Sequence, residues 1–259
     1  MRADVLLKEA ETRYLRALET QSLGREIRMF EELGSTNAHL LSLGADAENL
    51  CCAALRQSAG RGRLGRSWAS GGGGLYFSFC VKAETPDLLL LLPLAAACAV
   101  LDAFREAGIE GAGVKWPNDI LIEEKKLVGI LCQSRGAYAV AGIGVNTARM
   151  QFPSELQEIA TSIGNECGEA PERNRLIAEI LNETEALLGD LKTGHFLEES
   201  RRRSNVIGRT VTVIEGDKRY PAKAVDIDDQ GRLVIETPEG RTCLNYGEVS
   251  LKLTEKDDK

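Results

Sequence analysis

Gln57-Ser58-Ala59-Gly60-Arg61-Gly62-Arg63-Leu64-Gly65-Arg66-Ser67-Trp68 is a glycine-rich segment that carries three arginines and ends on an aromatic residue. Leu50 to Gln57, which leads into it, reads as a buried strand. Leu75-Tyr76-Phe77-Ser78-Phe79-Cys80-Val81, which follows, is an aromatic and β-branched run typical of a second strand. Glycines 60, 62 and 65 free the backbone to take positive φ and to approach a ligand closely. The arginines between them supply planar charged donors. The segment therefore reads as an anion-gripping loop at a strand end. On its own it suits the phosphates of a small molecule, a nucleic acid, or a solvated surface loop. Composition argues against the nucleic acid: 32 Lys+Arg stand against 39 Asp+Glu, a formal charge of -7, so no basic field draws in a polyanion. Glycines 71 to 74 read as a connector, with a hinge for the arginine loop as the alternative.

Working outward, 259 residues suffice for one substantial core and a small second domain. The first 25 residues repeat charges and contain no apolar signal region. Leu88 to Leu101 is the most apolar run, but it is too short to span a bilayer and Pro93 interrupts it, so it reads as a buried helix and no membrane is expected. Seven cysteines form no CxxC pair, and His39 and His195 are the only histidines. Zinc ligation and Ser-His-Asp or Cys-His catalysis lack their residues. Reduced thiols in a cytoplasm account for the cysteines, and His39 reads as a surface or packing residue rather than a base.

Residues 2 to 21 predict a helix, Ile27 to Phe30 a strand, and Ser35-Thr36-Asn37 a helix N-cap. A helix over Leu91 to Ala107 places Pro93 in its first turn and Gly108 at its stop. Val114 to Trp116, Ile120 to Ile122, Leu127 to Gln133 and Ala137 to Val145 predict an antiparallel meander. Residues 153 to 164 and 171 to 203 read as helical, with Arg201-Arg202-Arg203 as a solvated helix terminus. Beyond Asn205 the pattern turns to period two. Strands at Thr210 to Val213, Ala222 to Ile227, Leu233 to Ile235 and Val249 to Leu251 predict a small barrel.

Fifty residues after the arginine loop come Val114-Lys115-Trp116-Pro117-Asn118-Asp119-Ile120 and then Lys126-Leu127-Val128-Gly129-Ile130-Leu131. Together, GRGRLGRSW, KWPND and KLVGIL in this order resemble the biotin protein ligases, over about Ser35 to Lys252. The resemblance implies an α/β (α+β) fold: a mixed, largely antiparallel sheet flanked by helices, with an SH3-like C-terminal β-barrel. It divides the chain into an N-terminal helix (1–24), a biotin- and ATP-binding catalytic domain (25–204), the SH3-like domain (205–254) and a disordered tail (255–259). Too little chain precedes the catalytic region for a winged helix-turn-helix, so a ligase without the repressor function is expected, with no DNA partner.

The implied reaction takes biotin and ATP, with Mg2+, to biotinyl-5′-AMP and then passes the biotinyl group to a lysine of a biotin carboxyl carrier protein. The resemblance assigns catalysis to Lys126, Arg63 and Asp119. It assigns biotin and its adenylate to Ser35, Thr36, Asn37, Gln57, Gly60, Arg61, Gly62, Arg63, Lys126, Gly129 and Gly142, and the nucleotide to Arg66, Trp68, Lys115, Asn118 and Asn146. The chemistry agrees with those residue types, since activating a carboxylate brings it against a polyanionic triphosphate and needs fixed positive charge. Pro117 stiffens the turn that aims Asn118 and Asp119, and Trp116 reads as core. Sequence names no Mg2+ ligand, because this ion keeps several waters. Where the family often has arginine after the last strand this chain has Lys252, which keeps the charge and loses the fork. The resemblance also allows a homodimer through the sheet edge. A lipoate ligase of the same fold and a non-catalytic biotin-responsive module are the competing readings.

Overall fold

The strand that delivers the arginine loop lies inside a seven-stranded sheet. In chain order its strands are β1 (Glu26–Leu33), β2 (Leu50–Gln57), β3 (Gly74–Lys82), β4 (Ala112–Lys115), β5 (Asp119–Ile122), β6 (Lys125–Arg135) and β7 (Tyr138–Asn146). The computed structural model describes residues 3–83, 88–189, 194–245 and 247–251. The spatial order is β1-β2-β3-β7-β6-β5-β4, with β1 and β2 parallel and every other pair antiparallel. The predicted meander is therefore present. Along β3 every residue from Gly74 to Val81 is buried, as its unbroken apolar run requires of a strand covered on both faces.

The helices are α1 (Ala3–Ala17), α2 (Thr36–Leu43), α3 (Leu88–Glu106), α4 (Ile163–Glu166), α5 (Arg173–Gly189) and α6 (His195–Arg202). α3 packs on β4, β6 and β7 and carries α5 and α6, while α2 packs on β2, β3, β6 and β7. By length and composition α3 could cross a membrane. Leu92, Leu94 to Val100, Ala103 and Phe104 are buried within the protein, so it is the core helix instead. Pro93 is its sixth residue rather than a first-turn residue. Burial of Leu88 and Leu92 ahead of it outweighs the hydrogen bond that proline removes.

Two other expectations are corrected. Residues 153 to 164 form turns until the single turn of α4. Their backbone is drawn instead to the edge of β6, where Lys126 N–H donates to Ile159 O at 2.8 Å and Thr161 N–H to Lys126 O at 3.0 Å. The arginine triplet is a solvated terminus only in part. Arg203 is held by Asp102 and Glu199, each at 2.8 Å, and Arg201 reaches Asp229 at 2.7 Å, leaving Arg202 on the surface with Glu199.

The second sheet contains β8 (Thr210–Glu215), β9 (Lys218–Ile227), β10 (Leu233–Thr237), β11 (Gly240–Leu244) and β12 (Glu248–Ser250), all antiparallel in the order β11-β10-β9-β8-β12. Among the described residues no pairing joins its two edges. β11 was not foreseen, because Gly240-Arg241-Thr242 carries no apolar alternation. Val211, Val213, Leu233 and Ile235 of this sheet share one contiguous core with the first, and Trp116 Nε1 donates across to Gly231 O at 3.0 Å. Trp116 is thus core, 3% exposed. Lys252 and the expected tail at 255–259 lie outside the described residues.

The segment after α1 is tied down by Glu185 of α5, whose carboxylate accepts the backbone N–H groups of Gln21, Ser22 and Leu23. Partial burial pushes this carboxyl up, and those hydrogen bonds more than offset it, so it sits below the ordinary glutamate range. Its contribution is fully present above the unfolded value and is lost as pH falls through the lower folded value. Glu185→Ala should cost about 1–3 kcal/mol near neutral pH. Thermal melts should show that gap to the unmodified chain closing as pH is lowered below about 4.

Candidate active site

The arginine loop is a tight hairpin. Gly62 N–H donates to Arg66 O at 2.7 Å and Trp68 N–H to Gly60 O at 3.0 Å, which puts Leu64 at the apex. Of its glycines only Gly65 uses the left-handed region (φ 75°), and Leu64 joins it at φ 54°. Gly62 is extended at φ −110°. Gly60 is required for a steric reason instead, since a Cβ there would stand 2.4 Å from Ser70 Oγ and 2.5 Å from Trp68 O. The glycine run that follows is anchored, with Thr147 Oγ1 and Ala148 N–H both donating to Gly73 O at 2.7 Å.

The loop closes over the sheet on a floor made by two glycines. Gly129 of β6 and Gly144 of β7 are register partners. A Cβ on either would fall 2.7 Å and 2.5 Å, respectively, from the Trp68 ring system. Trp68 lies on that floor, with Lys126 Nζ 5.1 Å from its ring centroid.

Beside this floor stand the charges. Lys126 Nζ is 2.7 Å from Asp119 Oδ1, and Lys115 Nζ is 4.0 Å from Asp119 Oδ2. Burial lowers the Lys115 pKa; Asp119 acts to raise it, and the neighbouring Lys126 charge lowers it further. Arg63 donates to Asn118 Oδ1 at 3.0 Å and to Gly247 O at 3.1 Å. Asn118 in turn donates to Ile130 O at 2.7 Å. Arg66 pairs with Glu248 of β12. The Trp116–Pro117 peptide of this turn is cis.

The inner end is uncharged. Ser35 caps α2, with Ala38 N–H donating to its Oγ. Thr36 N–H donates to Gln57 Oε1 at 2.9 Å, and Gln57 Nε2 to Ser70 Oγ at 3.0 Å. Asn37 Nδ2 donates to Leu131 O at 3.0 Å and to Gln133 Oε1 at 3.1 Å. Gly142 leaves room for this residue, since a Cβ there would lie 1.9 Å from Asn37 Oδ1.

These residues enclose a cleft of about 720 Å3, counted out to its open mouth. Its lining includes Ser35, Thr36, Asn37, Gln57, Arg61, Gly62, Arg63, Arg66, Trp68, Asn118, Asp119, Lys126, Gly129 and Gly142. Three residues expected in the site do not line it. Gly60 is wedged behind the loop, Lys115 stands behind Asp119, and Asn146 is buried with its Nδ2 donating to Thr161 O at 2.9 Å. A cleft with an anion-binding rim and a neutral, hydrogen-bonding end suits a carboxylic acid being joined to a nucleotide.

The known proteins agree. A model of the biotin/lipoate A/B protein ligase family matches residues 7–146, and a model of the biotin protein ligase C-terminal domain matches residues 206–252. The chain belongs to this ligase family. It is 36% identical over 265 residues to the bifunctional ligase/repressor BirA of Bacillus subtilis, covering 95% of this chain and 79% of that one. It is 35% identical over 251 residues to a biotin–[acetyl-CoA-carboxylase] ligase of Mycobacterium tuberculosis, covering 90% and 94%. Among solved structures, the Aquifex aeolicus biotin protein ligase in complex with biotin and ATP superposes with a TM-score of 0.80 at 30% identity, over 87% of this chain and 98% of that one.

Within this ligase fold, the motifs missed some residues of the cleft. Gly144 was signalled by its two-residue spacing from Gly142, which places both on one face of β7. Glu248 carried no local signal, because chain topology brings it in, and the same holds for Gly247 and Gln133, which do not line the cleft but accept from Arg63 and Asn37. Gly144→Ala should expel Trp68 from its floor. We expect tryptophan emission to shift red while Trp116 stays buried, and adenylate formation to fall at least tenfold.

Proposed function

We propose that the chain activates biotin with ATP to give biotinyl-5′-AMP and pyrophosphate, then transfers the biotinyl group to a lysine of a biotin carboxyl carrier protein. The observation that carries this reading is the convergence of Arg61, Arg63 and Arg66 with the Lys126–Asp119 pair around one cleft, whose far end is the neutral Thr36–Asn37–Gln57 group. In the first step a biotin carboxylate oxygen attacks the α-phosphorus, and pyrophosphate leaves. The arginines and Lys126 oppose the charge that builds on the phosphoryl oxygens. In the second, an amine attacks the acyl carbon and AMP leaves with the C–O bond electrons; Asp119 is the carboxylate placed to take the amine proton. Closing the loop over Trp68 keeps water from the acyl phosphate.

Mg2+ fits as a companion of the nucleotide. Among the described residues no cluster of three His, Cys, Asp or Glu exists to hold a metal, and Asp119 and Glu248 are engaged with cations. The ion would be carried mainly by triphosphate oxygens and water, with Asp119 the protein oxygen nearest to hand, and its chemistry would be charge neutralisation. A reducing cytoplasmic setting is supported by the seven free cysteines. Sheet-edge dimerisation is supported by β6, which runs past the end of its pairing with β5 at Gly129.

Exchange of labelled pyrophosphate into ATP tests the first step. It should depend on biotin and be absent with lipoate, and Lys126→Ala should lower it by about 10²–10³. Exchange with lipoate instead would retain the fold and replace the substrate. Arg63→Gly removes the links to Asn118 and Gly247, so it should keep partial exchange yet release the adenylate. Rapid filtration that finds the intermediate fully retained would refute that role.

A further inference from the structure

Ser78 sits in the middle of β3, fully buried, and it does not line the cleft. Its hydroxyl is 2.7 Å from Asn37 Oδ1 and 2.6 Å from Thr36 Oγ1. Counting protons fixes the direction of both contacts. The two Asn37 Nδ2 protons go to Leu131 O and Gln133 Oε1, so Asn37 Oδ1 faces Ser78 as an acceptor. The single Ser78 proton must serve that acceptor. The short contact to Thr36 must then be made by the proton of Thr36, whose 3.2 Å approach to Gln57 Oε1 is the longer alternative. We propose that Ser78 is a positioning residue that fixes Thr36 Oγ1 as a pure acceptor toward the cleft.

The same count gives Gln57 the opposite polarity. Its Oε1 accepts from Thr36 N–H, one Nε2 proton goes to Ser70 Oγ, and Ser70 donates to Trp68 O, leaving the second Nε2 proton to offer. The inner end thus presents an acceptor beside a donor, which matches the N–H and C=O of a cyclic urea. This rests on the biotin reading and adds to it how urea is selected over a ring without that polarity. Rejection of a mispaired polar edge comes from leaving buried groups unsatisfied.

Titration calorimetry with biotin and with the two cyclic carbamates that replace one ureido N–H by oxygen tests the assignment. The unmodified chain should prefer biotin over the carbamate whose oxygen meets Thr36 by at least tenfold. In Ser78→Ala the Thr36 hydroxyl can turn its proton to the ligand. Biotin should then bind about fivefold more weakly, while that carbamate binds unchanged or more tightly. Ser78→Cys keeps a donor, a weaker one on a larger atom, and should give an intermediate preference, which decides the matter if the alanine variant does not fold. Equal weakening of both ligands, or an unchanged preference, overturns the role of Ser78 and leaves the biotin reading intact. Failure of the unmodified chain to bind biotin overturns both.

Discussion

Mutual repulsion of cations is the constraint on which the site depends. Arg61, Arg63, Arg66 and Lys126 are gathered at one cleft, with Lys115 behind Asp119, in a chain whose formal charge is -7. Two carboxylates, Asp119 and Glu248, stand among them, and Asp119 serves two lysines at once. Burial lowers the Lys115 pKa, Asp119 opposes the shift, and the neighbouring Lys126 charge adds to it. An anionic ligand relieves the repulsion. The site therefore holds part of its binding energy in the fixed arrangement of its own charges, as preorganised charge does.

Holding such a loop closed requires attachments that are not themselves local. The Gly129–Gly144 pair accepts the Trp68 ring, and the second sheet supplies Gly247 O and Glu248 to Arg63 and Arg66. That sheet is fixed in place by the shared apolar core and by the Trp116 to Gly231 hydrogen bond. Its β12 is short, only three residues, yet it delivers these contacts to the cleft. The second sheet is thus part of the loop's support.

The cleft divides by polarity as well as by place. At the rim, charged groups face partial exposure, where ionic contacts are adjustable. At the inner end, Thr36, Asn37 and Ser78 are at most 4% exposed, and they bond to one another, to Gln57 of β2 and to Leu131 and Gln133 of β6. A buried network of this kind is rigid, since any rotation leaves a polar group unpaired.

Local sequence determined a good deal. The alternation and turn residues of 112–146 specify the meander, the unbroken run of β3 its burial, Ser35 its cap, and the three motifs the family and most of the cleft. Where reading failed, a distant partner had prevailed over local preference. The 153–164 segment gave up its helix to pair with Lys126, Arg203 left solvent for Asp102, and Pro93 sits within α3 because burial of its neighbours outweighs one lost bond. Gly60 proved necessary for space rather than for φ, and Asn146 is buried against Thr161. Only the tertiary structure decided that Glu248 meets Arg66 across 182 residues and that Ser78 sets the polarity of Thr36. Such contacts follow from sheet register and domain docking, and these are settled by the packing of the whole chain.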